Sequence, residues 1–213
     1  MNLIIDVGNT RVKAAVFEND TLIEVAIFSN DELLNKVDFF IKKHTINHGI
    51  ISSVKHLSEN VLKKLRNKIP FLVLDSFTKV PFQNLYETPK TLGVDRIALV
   101  ANAVEKYPNK NVLIIDAGTC ITFDFVNEKQ EYLGGAISLG IEMRYKALQY
   151  YTSKLPLIEK NIPENYIGKS TEENMHSGVI NGVLNEINGV INQYESEKSF
   201  LTVVLTGGDA NFL

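Results

Sequence analysis

The sequence predicts an α/β protein built from two related lobes, and three observations carry that prediction. The first is a repeat: Leu3-Ile4-Ile5-Asp6-Val7-Gly8-Asn9-Thr10 returns as Leu113-Ile114-Ile115-Asp116-Ala117-Gly118-Thr119-Cys120. Each copy is an apolar run, an Asp, and a Gly turn carrying small hydroxyl or amide side chains. A second β-like run follows each copy, at residues 12–17 and 121–126. A unit found near one end and again near the middle implies two lobes of similar build facing one another. The second observation is that strand-like and helix-like periodicities alternate along the whole chain. The third is composition: 213 residues, 45% apolar and 22% charged, are what a soluble globular protein of one large or two small domains uses. The lobe boundary falls near Lys110, giving lobes over 1–110 and 111–213.

The first lobe opens with β-like runs at 2–6, 12–17 and 21–28, an antiparallel meander with Glu18-Asn19-Asp20 as one turn. Ser29-x-x-Glu32 fits a capping box, and Leu33, Leu34, Val37, Phe40 and Ile41 fall on one helical face behind it. Residues 49–54 read as a strand. Ser58 caps a helix to Lys68 with Val61, Leu62 and Leu65 inward, and 70–74 is another buried strand. Residues 76–92 hold no clean period, and an irregular stretch of that length in a compact domain is often functional. Helical spacing resumes from Val94 to about Tyr107, with Ile97, Val100, Ala101 and Val104 aligned, and ends at Pro108-Asn109.

The second lobe begins with strands at 111–116 and 121–126, joined by a polar turn at 127–130 to a run starting at Tyr132. Gly134-Gly135-Ala136-Ile137-Ser138-Leu139-Gly140 is too glycine-rich for a plain strand. A helix is expected over 142–151, irregular chain over 152–170, one long helix over 172–193, and a late strand over 202–205 leading into Thr206-Gly207-Gly208-Asp209.

Several function classes are excluded or read plainly. The net charge of −3 argues against a nucleic-acid interface, which needs a basic face. No apolar stretch approaches the roughly 18 residues of a membrane span, and the opening apolar run is too short and lacks the basic flank of a signal peptide. Cys120, the one cysteine, forms no internal disulfide. A cytoplasmic protein is expected, with neither membrane nor nucleic acid as partner. His44 and His48 precede a strand and make no metal face, and His56 and His176 stand alone. Phe39, Phe40, Phe71 and Phe77 are expected in the core, Cys120 is expected as a small buried residue, and Lys63, Lys64, Arg66 and Lys68 as a solvated helix face.

The chemistry lies in the turns. Asp6-x-Gly8-Asn9-Thr10-x-x-Lys13 is strand, tight turn, strand, with backbone amides placed to face an anion and a lysine to meet a terminal phosphate. Alone, Lys13 is a solvated lysine on an edge strand; the whole pattern gives it a phosphate. An Asp at a strand end in each turn can hold a metal ion or orient its waters. Asp95 sits where a helix begins, so the helix dipole and neighbouring Arg96 favour its ionised form. By position alone it is equally a helix cap.

Together these motifs resemble the actin, hexokinase and Hsp70 ATPase superfamily. Asp6 to Lys13 is similar to its phosphate-1 element, Asp116-x-Gly118-Thr119 to its phosphate-2 element, and Thr206-Gly207-Gly208-Asp209 to its adenosine element, in that order. Within the superfamily, Gly93-Val94-Asp95-Arg96, Asp116-Ala117-Gly118-Thr119-Cys120-Ile121-Thr122 and Gly134-Gly135-Ala136-Ile137-x-x-Gly140 resemble type III pantothenate kinase, over essentially the whole chain.

The resemblance implies two lobes of ribonuclease H-like, actin-like fold, mixed sheets flanked by helices, and a nucleotide cleft between them. It implies ATP-dependent phosphorylation of pantothenate, the first step of coenzyme A synthesis. It assigns Asp6, Val7, Gly8, Asn9, Thr10, Arg11, Val12, Lys13 and Thr119 to ATP, and Asp95 to the general base. Pantothenate would meet Tyr86, Gly93, Val94, Asp95, Arg96 and Thr171. Asp116 would hold a monovalent cation, K⁺ or NH₄⁺, and Asp6 a Mg²⁺ ion through waters. A homodimer is implied, with the pantothenate pocket near the subunit interface. Family members usually run on past the adenosine element with a further helix, so a chain shortened at its C-terminal side is expected. Two other readings stay open: a regulatory protein that keeps the fold without catalysis, disfavoured because Asp6, Lys13, Asp95, Arg96 and Asp116 are all present, and another small-molecule kinase or a phosphatase of the superfamily, disfavoured by Gly93-Val94-Asp95-Arg96.

Overall fold

In the computed structural model, which describes residues Met1–Leu213, the chain forms two compact units. The first comprises Met1–Val80 and Glu87–Leu99, the second Pro81–Tyr86 and Val100–Leu213.

The first unit is a mixed five-stranded sheet in the order β3-β2-β1-β4-β5. Its strands are β1 (Asn2–Val7), β2 (Val12–Glu18), β3 (Thr21–Phe28), β4 (His48–Ser53) and β5 (Phe71–Val73). The expected meander is there: β1, β2 and β3 pair antiparallel, and Asn19 turns the second hairpin with φ 51°. β4 joins β1 in parallel and β5 joins β4 in parallel. Parallel neighbours need a crossover, and helix α2 (Glu59–Arg66) supplies the one between β4 and β5. Strand alternation sends Leu3, Ile5 and Val7 of β1 and Val12, Ala14 and Val16 of β2 into one core, and it leaves Asp6 and Lys13 on the opposite face. Helix α1 (Leu33–Lys43) lays Leu33, Val37 and Phe40 on that core, a stripe at helical spacing. Each such fully buried side chain stabilises by about 1.5–3 kcal/mol. The capping box forms: the Glu32 carboxylate accepts from Ser29 N–H at 3.1 Å and from Ser29 Oγ at 2.8 Å.

The second unit repeats the plan. Its sheet runs β10-β7-β8-β9-β6, from β6 (Gln83–Asn84), β7 (Asn111–Ala117), β8 (Cys120–Val126), β9 (Glu131–Leu139) and β10 (Leu201–Thr206). β7, β8 and β9 pair antiparallel and β10 joins β7 in parallel, as β1, β2, β3 and β4 do in the first unit. Helices α4 (Ile141–Tyr150), α5 (Thr171–His176) and α6 (Gly182–Glu197) bury Ile141, Tyr145, Met175, Val183 and Ile187 against Leu113, Ile115, Ile121 and Phe123. Helix α3 (Val94–Lys106) contains the change of unit, between Leu99 and Val100.

Several details depart from expectation. The glycine-rich run from Gly134 to Leu139 lies within one strand of nine residues, β9, and Gly140 follows it as the cap of α4. What is irregular there is a register shift at Phe125/Val126, and a Cβ on Gly135 would stand 1.7 Å from the Phe123 carbonyl oxygen, so glycine lets the two strands approach. The long helix is three pieces, because a π-helical turn at Ser177–Asn181 separates α5 from α6. The stretch at 76–92 contains strand β6, paired in parallel with β9, and a 3₁₀ turn at Pro89–Thr91. Phe77 is 81% exposed and Phe39 is 49% exposed, so neither is core; Phe77 rides on an Asx-type turn in which its N–H donates to Asp75 Oδ1 at 2.9 Å. Cys120 is only partly buried, with Sγ 3.9 Å from Met143 Sδ. No helix is long and apolar enough to cross a membrane.

Candidate active site

The β1–β2 hairpin fixes the first acidic turn. In its register Asp6 faces Lys13 and Val7 faces Val12, and Gly8 N–H closes the turn onto the Arg11 carbonyl at 3.1 Å. Asn9, Thr10 and Arg11 form its exposed tip. With Val7 and Val12 in the core, Asp6 and Lys13 share the other face. On the far side of Asp6 the parallel strand β4 places Ser52. Burial pushes the Asp6 carboxyl above the ordinary carboxylate range; the Lys13 ammonium pulls it back, and the nearby Asp95 carboxylate pushes it up further. The structure thus brings Asp6, Lys13 and Asp95 together within the first unit.

Asp95 owes its place to the start of α3. Ile97 N–H bonds the Gly93 carbonyl at 3.2 Å, so Gly93 stands at the cap and Asp95 lies inside the first turn. Its Oδ1 accepts from Arg96 N–H at 2.9 Å. A Cβ on Gly93 would stand 2.4 Å from that oxygen, so glycine leaves the space the carboxylate occupies. Arg96 is 5% exposed, which rules out a solvated surface ion pair for it. Val94 is partly buried beside them.

The second acidic turn is built likewise. Asp116 of β7 faces Thr122 of β8, and the parallel strand β10 places Thr206 on its other side. Gly118 N–H bonds the Cys120 carbonyl at 2.9 Å, while Thr119 is at the exposed tip. Two other segments grip this turn: Gly140 N–H reaches Thr119 O at 3.2 Å, and Asp209 N–H reaches Ala117 O at 2.9 Å. The adenosine-type element is therefore tied directly to the phosphate-2-type turn. Gly207 has φ +101° and packs against Ala117 O and Asp116 Oδ1, a place no Cβ fits.

Tyr86 and Thr171 lie elsewhere in the second unit. The Tyr86 ring stacks on Tyr132 at 6.1 Å and rests against Gly134. Thr171 is the first residue of α5, not its cap: Ser170 Oγ accepts from Glu173 N–H at 3.2 Å. Thr171 borders a largely apolar cavity of about 740 Å³ with Leu139, Arg144, Tyr151 and Met175.

Sequence reading missed four features. Lys160, in the irregular segment, pairs with Asp209 and lies over the Phe212 ring. Arg144 pairs with Glu186. His176 does not stand alone: its Nδ1 is 2.8 Å from the hydroxyl of buried Tyr145. Thr122 was visible only as part of a motif, because its pairing with Asp116 is a matter of register. None of these partnerships leaves a local sequence signal: the first three join residues 31 to 49 apart in the chain, and the fourth depends on hairpin register.

The donors present fit the two cations the fold family implies. Beside each acid a buried hydroxyl lacks a hydrogen-bond partner, Ser52 Oγ next to Asp6 and Thr122 Oγ1 next to Asp116. Carboxylate and hydroxyl oxygens are the donors that hard cations take. No group of three or more His, Cys, Asp or Glu gathers anywhere, so each ion would be completed by water and nucleotide oxygens.

The family model of type III pantothenate kinase matches residues 2–193. A type III pantothenate kinase of Christiangramia forsetii is 48% identical over 214 aligned residues, covering 100% of this chain and 88% of the relative. Among solved structures, a conserved Baf family protein from Campylobacter jejuni superposes with a TM-score of 0.62 at 22% identity, covering 99% of this chain and 85% of that one. A ROK hexokinase from Thermus thermophilus superposes with a TM-score of 0.52 at 11% identity, covering 99% and 82%. These two likenesses show a shared fold.

Proposed function

The chain belongs to the type III pantothenate kinase family, whose reaction is ATP-dependent phosphorylation of pantothenate in coenzyme A synthesis, and within that reaction we propose that Asp95 is the general base and the Asp6–Lys13 turn holds the phosphates. The observation that carries this reading is the gathering of Asp6, Lys13 and Asp95 on the first unit. Phosphoryl transfer through a loose transition state asks the protein for position and charge neutralisation. Lys13 offsets negative charge on the terminal phosphate, and Val7, Gly8, Asn9, Thr10, Arg11 and Val12 shape the turn around the phosphate chain. Thr119 adds a contact to ATP. Asp95 orients the attacking primary hydroxyl of pantothenate and takes its proton, a role a carboxylate within hydrogen-bond reach of that hydroxyl performs.

Arg96 grips the pantothenate carboxylate in a bidentate fork, for which a guanidinium is shaped. Gly93, Val94, Tyr86 and Thr171 complete the contacts to that substrate. Asp6, with Ser52 beside it, would hold Mg²⁺ through waters, and that ion would supply charge neutralisation at the phosphates. Asp116 would hold a monovalent cation, K⁺ or NH₄⁺. A homodimer working in the cytoplasm is the setting the family relationship supports.

The test is steady-state turnover with saturating ATP and pantothenate for wild type and Asp95→Asn, with ATP affinity measured by calorimetry. Loss of a general base lowers kcat by about 10²–10⁴-fold. ATP affinity is expected to stay near wild type. Equal kcat in the two proteins would remove Asp95 from the role.

A further inference from the structure

The two acidic turns differ at one position, and the difference is a charge. Asp6 stands opposite Lys13 on the antiparallel neighbour β2; Asp116 stands opposite Thr122 on the antiparallel neighbour β8. Side chains of such directly opposed residues share a face, with Cβ atoms about 4.5–5.5 Å apart. On the other flank both acids have a hydroxyl residue from the parallel neighbour, Ser52 on β4 and Thr206 on β10. The second turn therefore keeps the carboxylate and the flanking hydroxyl of the first, and sets a hydroxyl where the first has an ammonium. That hydroxyl, Thr122 Oγ1, is buried and has no hydrogen-bond partner. A buried polar atom left without a partner calls for one from outside the polypeptide. Its oxygen is a donor for a hard cation.

We propose that Thr122 is a ligand of the monovalent cation and the residue that makes this protein depend on one, the ion at the second turn standing in for the ammonium that Lys13 supplies at the first. The proposal rests on the assignment of a monovalent cation to Asp116. It also states why a monovalent ion falls on the second turn and not the first: the first turn carries its single positive charge covalently, on Lys13, beside the divalent ion proposed at Asp6. The β1–β2 pair shows that this strand geometry accepts a lysine opposite the acid.

The experiment compares wild type, Thr122→Val, Thr122→Ser, Thr122→Lys and Asp116→Asn. The first readout is the thermal midpoint with a non-hydrolysable ATP analogue present, in K⁺ against tetramethylammonium at equal ionic strength. The second is the ratio of pantothenate-dependent turnover in those two salts. Wild type is expected to be stabilised by K⁺. Thr122→Val, which keeps the shape and loses the oxygen, is expected to need about 10–100-fold more K⁺ for half of that stabilisation, the range seen when a supporting group of a metal site is removed. Thr122→Ser is expected to restore the wild-type response. In Thr122→Lys the K⁺-dependent shift in midpoint is expected to vanish and the turnover ratio to approach one. A wild-type K⁺ titration in Thr122→Val, with the response lost in Asp116→Asn, would overturn the role of Thr122 alone. A wild-type response in both would overturn the assignment of the cation to Asp116, and this proposal with it. Should the lysine variant fail to fold, the valine and serine pair still decides.

Discussion

The surroundings of Asp6 work against its ionised form. Burial, and then the neighbouring Asp95 carboxylate, raise its pKa above that of an unfolded chain, and Lys13 only partly offsets them. A carboxyl whose folded-state pKa is raised binds its proton more tightly in the native state. Its favourable contribution is complete below the unfolded value of 3.8 and is lost as pH rises through the folded pKa, leaving a penalty at neutral pH. Asp6→Asn is therefore expected to raise the thermal midpoint of the nucleotide-free protein at pH 7, with the gain shrinking as pH falls towards 4, and to abolish stabilisation by Mg²⁺ and ATP together. A lower midpoint at pH 7, or a gain indifferent to pH, would contradict this account. At this scale the motif residues were legible, because Asp6, Asp95 and Asp116 each sit in a local pattern that names them. Thr122 and His176 were not, since the meaning of one lies in strand register and that of the other in a hydroxyl 31 residues away.

At the scale of elements, most strands and helices announce themselves through period and caps. The departures fall where tertiary contact overrides composition. Glycines argue against a strand by propensity, yet β9 uses Gly135 to let its backbone reach the Phe123 carbonyl. Gly140 does a second job at the end of that strand. A Cβ there would stand 2.2 Å from Gly118 O and 2.3 Å from Thr119 O, the backbone of the phosphate-2-type turn. Gly140→Ala is expected to destabilise by about 1–3 kcal/mol, as overpacking does, and to raise KM for ATP more than KM for pantothenate. Denaturant unfolding and two-substrate kinetics check both halves; an unchanged KM for ATP would mean that the turn moves without consequence for the nucleotide. The π-helical turn at Ser177–Asn181 has no comparable sequence cue: Gly178 and Gly182 interrupt the pattern, but only the structure shows that the helix widens rather than breaks.

For the whole molecule, the repeated Asp-x-Gly turn was the most informative feature of the sequence, and its origin is now visible as a repeated sheet. Strands β1, β2, β3 and β4 in one unit correspond in order and direction to β7, β8, β9 and β10 in the other. The units are not copies: the first adds β5 beside β4, and the second adds β6 beside β9. That last strand comes from the irregular stretch at 76–92 and is two residues long, too short to carry a period of its own. The duplication explains why one turn can specialise with a covalent ammonium and the other with a hydroxyl, while the surrounding strands stay alike. Transfer of a phosphoryl group from ATP to the hydroxyl of pantothenate can be followed by ³¹P nuclear magnetic resonance of the reaction mixture. Incubated with ATP, Mg²⁺, K⁺ and pantothenate, the protein is expected to produce one phosphomonoester signal of 4′-phosphopantothenate for each ADP. ADP accompanied by inorganic phosphate, or formed at the same rate without pantothenate, would contradict the account.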